Sequence, residues 1–457
     1  MQPGSFFVDR CDRLLEGGFA AYFPQSAPLF RGLTVNGLRL DAAAFADMAP
    51  FAVEKSPFCA AGFRLTDPAA RPGLHPYHHA GVYYLQEPSA SAPAPLLGVQ
   101  PGERVLDLCA APGGKSAQLA AALAGEGLLV SNDFTAKRCA ALLSNLERLG
   151  VRNAVVTNES AERLAAAFPE AFDRILVDAP CSGEGMFRRE EAALAQHSQK
   201  LVESCAALQR SLLDAIAPAL RPGGVLVYST CTFSPEENEG TVGWFLRAHP
   251  EFSLEDPGVS FGCAGHPSCC VEGEIETEKV RRIYPVHCGE GQFMARLRKA
   301  GDAPAQDPAK GRLAAQKLPA PAQAFFAEQF PALAGTPFAL FGDKAVLLPK
   351  APVFLLKGLR VLRAGVAAGE LIQGRGKARF EPAHSLYMAC GALAARRLDL
   401  APEDPRAAGW LRGEELAAEG LAPGWTALTV SGFPLGMGKV SGGRMKNHYP
   451  KGLRNLK

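Results

Sequence analysis

The chain has 457 residues, 47% of them hydrophobic and 21% charged, with a formal net charge of +2. That is an ordinary globular composition in a chain too long for one core, which seldom grows past roughly 250–300 residues. The 12 cysteines do not make a disulfide scaffold at this length, and no apolar run approaches the ~20 residues of a membrane span. The N-terminus lacks a basic-then-apolar signal pattern, so a reducing cytoplasm with every cysteine a thiol is the expected setting.

In chain order, Phe6–Leu15 has helical spacing, and Pro/Gly-punctuated apolar pieces such as Leu33–Leu40 follow without evident chemistry. After His78–Ser91, buried strands alternate with helices. Arg104–Cys109 reads as a strand, Ala117–Leu123 as a helix, Gly127–Asp133 as a second strand and Lys137–Leu149 as a helix. Asn153–Asn158 and Phe172–Ala179 are the third and fourth strands. A helix over Gln199–Leu220 then leads into a fifth strand, Val225–Thr230. Short, nearly continuous apolar strands separated by helices predict a parallel sheet covered on both faces, an α/β doubly wound domain. Its ligands belong beyond the strand carboxyl ends. Residues 300–322 are rich in Ala, Pro and charge and mark a boundary. Pro352–Phe380 carries basic residues and glycines, and Gly424–Val440 alternates like a β-hairpin around Gly432.

Three segments carry chemistry. Asp107–Lys115 (DLCAAPGGK) is a strand feeding a glycine-rich turn that opens a helix, where backbone amides can approach a ligand closely. Its spacing is neither that of a Walker loop nor of a dinucleotide fingerprint, and it suits a ligand bearing a carboxylate and an amine. Asp133, at the end of the second strand, is placed to accept from a ribose diol. The fourth strand ends in Asp178-Ala179-Pro180-Cys181, and the fifth in Ser229-Thr230-Cys231-Thr232. Two cysteines beside one carboxylate on the ligand rim suit nucleophilic attack on a pyrimidine. A thiolate adding to carbon 6 of cytosine makes carbon 5 nucleophilic enough to take a methyl group. Asp178, protonated or sharing a proton with the ring nitrogen N3, would stabilise charge building on the ring. Position alone excludes neither cysteine as the nucleophile.

The segments DLCAAPGGKS, DAPCSGEGMF and YSTCTFSPEENE resemble three motifs of the Sun/Fmu family of RNA cytosine-5 methyltransferases. GVYYLQEPS, NLERLGV and GEGQF further resemble that family's bacterial RsmF branch, which modifies small-subunit ribosomal RNA. The resemblance covers residues 1–300 closely. It extends to the C-terminus, where PLGMGKVSGGRMKNHYPKGLR is similar to that branch's PUA-like RNA-binding module. It implies a Rossmann-like, seven-stranded class I methyltransferase sheet with an N-terminal extension and small C-terminal α+β and PUA-like β modules. The divisions expected are 1–79, 80–299, 300–381 and 382–457, in a monomer. It implies S-adenosylmethionine as cofactor, with Cys109, Ala110, Ala111, Pro112, Gly113, Gly114 and Lys115 holding the methionine moiety and Asp133 the ribose. Asp178 then lies beside cofactor and base, Cys231 is the nucleophile, and Cys181 assists product release. Arg138 matches a cofactor-side position. Where the family often has an aspartate near the adenine amine this chain has Asn158, whose side-chain oxygen can still accept. Gln292 stands where the family often has histidine, which leaves that position without an assigned role.

The RNA partner should meet Lys439, Arg444, Lys446, Lys451, Arg454 and Lys457, a run without acidic residues. A solvated basic tail is the competing reading. Cys263, His266, Cys269, Cys270, His287 and Cys288 match no standard zinc knuckle, so no metal is expected. His78 and His79 read as structural. Two other functions compete. DNA cytosine-5 methylation would make Cys181 the attacker, and would leave the Thr-Cys motif and the basic C-terminus unexplained. A ribosome-assembly factor that has lost catalysis would have lost the cofactor turn or the nucleophile, and both are present.

Overall fold

The computed structural model describes residues 4–373 and 378–454. Its centre is one large sheet. Five strands form the parallel middle: β1 (Arg104–Asp107), β2 (Leu128–Asn132), β3 (Ala154–Thr157), β4 (Phe172–Asp178) and β5 (Leu220–Thr230). Four more pair antiparallel: β6 (Phe252–Glu255), β7 (Val280–Ile283), β8 (Gln292–Lys299) and β9 (Val361–Ala364). The order is β6-β8-β5-β4-β1-β2-β3-β9, with β7 also pairing β8. The chain leaves β1 toward β2 and β3, then returns to place β4 and β5 on its other side. That reversal opens a crevice over the carboxyl ends of β1 and β4.

The apolar runs become buried on both faces because successive side chains alternate sides. Leu106, Val130, Ile175 and Leu226 belong to one core, while Val105, Leu129, Leu176 and Val227 belong to the other. The sheet expected to have seven strands, of which the apolar runs placed β1–β5, has nine among the described residues. β7 pairs in register with β8 (Ile283 opposite Gln292), and β9 arrives from beyond the linker to lie against β3 (Ala364 opposite Val155). β9 covers a backbone edge that would otherwise be open. The Gln199 helix stops at Ile216, and β5 starts early, at Leu220, absorbing the RPGG turn.

Three smaller sheets surround this one. The first orders Val53–Lys55, Gly62–Leu65, Gly32–Val35 and Tyr83–Leu85. The second orders Phe338–Phe341, Lys344–Leu347, Val366–Ile372 and Arg379–Pro382. The C-terminal sheet is built around the expected hairpin, Gly424–Val430 and Phe433–Ser441. The first and last sheets share one core, in which Phe45, Tyr77 and Tyr83 meet Trp410, Leu428 and Leu435. Alternation along Tyr83–Leu85 matters here: Tyr83 is buried in that shared core, while Tyr84 packs with the core beneath the β1 turn. One strand therefore ties the two ends of the chain to the rim of the central sheet.

Candidate active site

The turn after β1 is fixed from several directions. Gly113 has φ of +114° and caps a helix over Gly114–Ala122. A Cβ on Gly114 would lie 2.7 Å from the Tyr84 ring, so only glycine permits this approach. The Ala110 amide donates to the Asn132 carbonyl at 2.7 Å, and Asn145 donates to the Pro112 carbonyl at 2.9 Å. Asp133 is buried one residue past β2. Its carboxylate accepts from the amides of Thr135 (2.9 Å) and Ala111 (3.3 Å) and lies 3.3 Å from Arg138 Nη1. Arg138 also donates to the Ala111 carbonyl, so it braces the turn. Asn158 donates its amide to the carbonyls of Asp133 and Phe134, both at 2.8 Å. Both its N–H groups are thus committed, and Oδ1 is the atom left to accept.

Beneath the turn, Asp107 is fully buried and accepts from Ser116 at 2.7 Å. Its other oxygen has no donor among the described residues, and burial pushes its carboxyl up to about 7. Burial and the nearby Asp107 also raise the Cys109 thiol well above its usual range, which leaves that third rim cysteine protonated.

The carboxyl ends of β4 and β5 carry the reactive groups. Asp178 accepts from Lys115 Nζ at 2.7 Å, Ser229 Oγ at 2.6 Å and Gln292 Nε2 at 3.2 Å. All three partners donate, so Asp178 is held as an acceptor. Burial alone would lower Lys115, yet the attraction of Asp178 prevails and its ammonium is raised above the usual range. Cys181 and Cys231 bring their sulfurs to 3.3 Å. The hydrogen bond with Cys231, then burial, push Cys181 well above the ordinary thiol range, and Glu237 adds to the shift.

Two buried glutamates hold these loops together. Glu184 accepts from the Phe233 amide at 3.0 Å, pairs with Arg10 from the N-terminal helix, and meets His197 at 2.9 Å. Glu237 accepts from the Ser182 amide (3.0 Å) and Gln209 (2.8 Å), and burial raises it to about 7. The Gly185 amide closes the link by donating to the Cys231 carbonyl at 2.9 Å. Sequence spacing did not single out Ser229, Glu184 or Glu237, and had left Gln292 without a role.

Three of the basic residues, Lys439, Arg444 and Lys446, lie on the C-terminal sheet and not on a strand of the central one. Lys439 and Lys446 stand opposite each other on neighbouring strands of the C-terminal sheet, with Trp425 opposite Lys439 on its other side. The Lys439 ammonium lies 5.6 Å from the Trp425 ring centre. Arg444 faces Glu415 at 3.3 Å, Arg454 packs against Gly413, and Lys451 is exposed. Lys457 lies outside the described residues. His78 and His79 are kept neutral by burial, His79 being pushed down to about 4. Among the described residues no group of three or more His, Cys, Asp or Glu is gathered for a metal ion, and no helix is long and apolar enough to cross a membrane.

A family model described as 16S rRNA methyltransferase RsmB/F matches residues 94–298. Models of the RsmF N-terminal domain, first C-terminal domain and PUA domain match residues 4–88, 324–390 and 397–455. The chain is 34% identical to a ribosomal RNA small subunit methyltransferase F of Klebsiella pneumoniae, across 93% of this chain and 90% of that one. The chain belongs to the RsmB/F family of 16S rRNA methyltransferases. Among solved structures, a methyltransferase homolog of Pyrococcus horikoshii aligns with a TM-score of 0.58 and 33% identity over 65% of this chain and 95% of that one. NSun6 of Pyrococcus horikoshii shares the fold, with a TM-score of 0.51 and 23% identity over 60% of this chain and 91% of that one.

An RsmB/F protein methylates ribosomal RNA with S-adenosylmethionine, and the rim fits that cofactor. Asp133 offers a buried carboxylate for two hydroxyls. The unpartnered oxygen of Asp107 suits an ammonium, and the first amides of the Gly114 helix suit a carboxylate. When bound, the cofactor supplies an electrophilic methyl on a sulfonium.

Proposed function

We propose that this RsmB/F protein methylates carbon 5 of a cytosine in small-subunit ribosomal RNA, with Cys231 attacking carbon 6 and Cys181 assisting release. The observation that carries this reading is the 3.3 Å sulfur pair beside Asp178. The Thr-Cys motif at the end of β5 assigns attack to Cys231, and the sulfur 3.3 Å away assigns release to Cys181. The Cys231 sulfur bonds to carbon 6, and the electron pair released into the ring makes carbon 5 the atom that takes the methyl. Asp178, already accepting from Lys115, Ser229 and Gln292, has lone pairs left for a proton on N3 or for the exocyclic amine. Once methylated, carbon 5 gives up its proton to a water molecule at the open rim, and the electron pair left behind re-forms the double bond to carbon 6 and expels the Cys231 sulfur as a thiolate. Cys181, beside the leaving sulfur, stabilises it by donating its S–H.

In this reading Cys109–Lys115, Asp133, Arg138 and Asn158 hold the cofactor, with Arg138 and Asn158 acting through the turn as much as by contact. Residues 1–79, 80–299, 300–381 and 382–457 remain our division of a monomer that works in the cytoplasm, where its ribosomal RNA is made and assembled. Labelled methyl groups from S-adenosylmethionine should enter ribosomal RNA and not DNA, and digestion should yield 5-methylcytidine. Label in any other nucleoside would refute the assignment to carbon 5.

A further inference from the structure

The N-terminal segment takes no part in the chemistry above, yet it builds one wall of a cavity against the cysteine loops. Phe7, Phe19 and Phe23 face Gly185, Phe187 and Phe233 across a cavity of about 450 Å³. Phe19 and Phe23 stack at 4.7 Å, and Phe23 meets Phe233 edge-on at 5.0 Å. The far wall is continuous with the reaction centre. Gly185 donates to the Cys231 carbonyl, a Cβ there would lie 2.8 Å from that oxygen, and Phe233 is two residues beyond Cys231.

The cavity is also not purely apolar. Arg188 and Glu290 line it. Glu290 is 1% exposed, and its Oε2 stands 3.3 Å from Arg188 Nη1. The two atoms are each other's ion-pair partners, and Glu290 Oε1 accepts from the Phe30 amide at 2.9 Å, while the Arg188 side chain is partly exposed. A partly exposed guanidinium at the end of an aromatic slot can donate to the edge of a nucleobase that packs against the rings.

We propose that this pocket binds the base of a nucleotide neighbouring the target cytosine, packed against Phe19 and Phe23 and met at its edge by Arg188. The proposal rests on attack by Cys231 and adds a sequence preference to it. The N-terminal segment is then a specificity element rather than a packing extension.

The test uses the full chain and a synthetic RNA carrying the mapped cytosine, with each neighbouring nucleotide replaced in turn by an abasic site. Turnover of the intact RNA establishes the cytosine reading first. At one neighbouring position the abasic site should then lower kcat/KM by roughly 10- to 100-fold, the worth of one stacked base. The variant carrying Phe19→Leu and Phe23→Leu should lose about as much on intact RNA, keep its cofactor affinity, and be indifferent to that abasic site. A second measurement needs no variant: 5-iodouracil at that position should photo-crosslink wild-type enzyme to the peptide containing Phe19 and Phe23. With turnover in hand, a scan showing no position-specific loss, or equal losses in both proteins, overturns the pocket and leaves Cys231 as the attacker. Crosslinks confined to the C-terminal sheet would overturn it as well.

Discussion

The rim of the central sheet and the outer face of the C-terminal sheet both gather charge, and they do so in opposite ways. On the rim, Lys115 is 13% exposed and bound to Asp178, and the other charges are tied by donors from distant strands. On the C-terminal sheet, Lys439 and Lys446 face each other across neighbouring strands, exposed and without an acidic partner among the described residues. Like charges in such positions repel. Buried, paired groups fix a geometry in advance of reaction, whereas an exposed unpaired strip serves a partner that brings its own charge.

The contrast can be broken first at Lys115. Lys115→Met should destabilise the fold by about 3 kcal/mol, because it strands Asp178 beside a missing partner. Adding Asp178→Asn should recover much of that loss. A chemical denaturation midpoint unmoved by Lys115→Met would mean that the pair is not stabilising.

Glu237 gives a pH-dependent version of the same point. Its folded value is raised to about 7 from an ordinary 4.5, so its contribution is fully present at low pH and fades as pH rises through 7. The loss is on the order of 2–3 kcal/mol between those values. Glu237→Gln should cancel it, so that the variant gains on wild type from pH 5 to pH 8. Parallel stability curves would contradict the shift.

The smallest effect belongs to the exposed strip. Replacing Lys439 and Lys446 by alanine should leave stability within about 0.5 kcal/mol and cofactor affinity intact. If both lysines meet phosphates, the slope of log affinity for RNA against log salt should fall by about 1–2. An unchanged slope would reduce the strip to a solubilising surface.

Much of the rim was legible because its signals are local. Apolar runs gave the five parallel strands, and Asp178-x-x-Cys181 and Thr230-Cys231 lie at strand ends, where ligands gather. What escaped reading depends on pairings across the chain. Gln292 reaches Asp178 from a strand that is distant in sequence, and Glu184 pairs with Arg10 from the first helix. No spacing rule links such positions. β9 was missed for the same reason, since four residues beyond a linker become a strand only against the open edge of β3. The shared core of Tyr83 and Trp410 likewise joins the two ends of the chain. The C-terminal charges were countable, but that Arg444 faces Glu415 while Lys439 and Lys446 stay unpaired is a property of strand register.

The central claim is that two sulfurs 3.3 Å apart divide one reaction between them. Cys181→Ser and Cys231→Ser should each be incubated with ribosomal RNA and S-adenosylmethionine and run on a denaturing gel. Cys231→Ser replaces the nucleophile with a hydroxyl that has no base to activate it, so it should give neither 5-methylcytosine nor a protein–RNA adduct. Cys181→Ser should still attack and methylate but release slowly, leaving an adduct that survives denaturation. An adduct with Cys231→Ser and none with Cys181→Ser would reverse the roles and contradict the account.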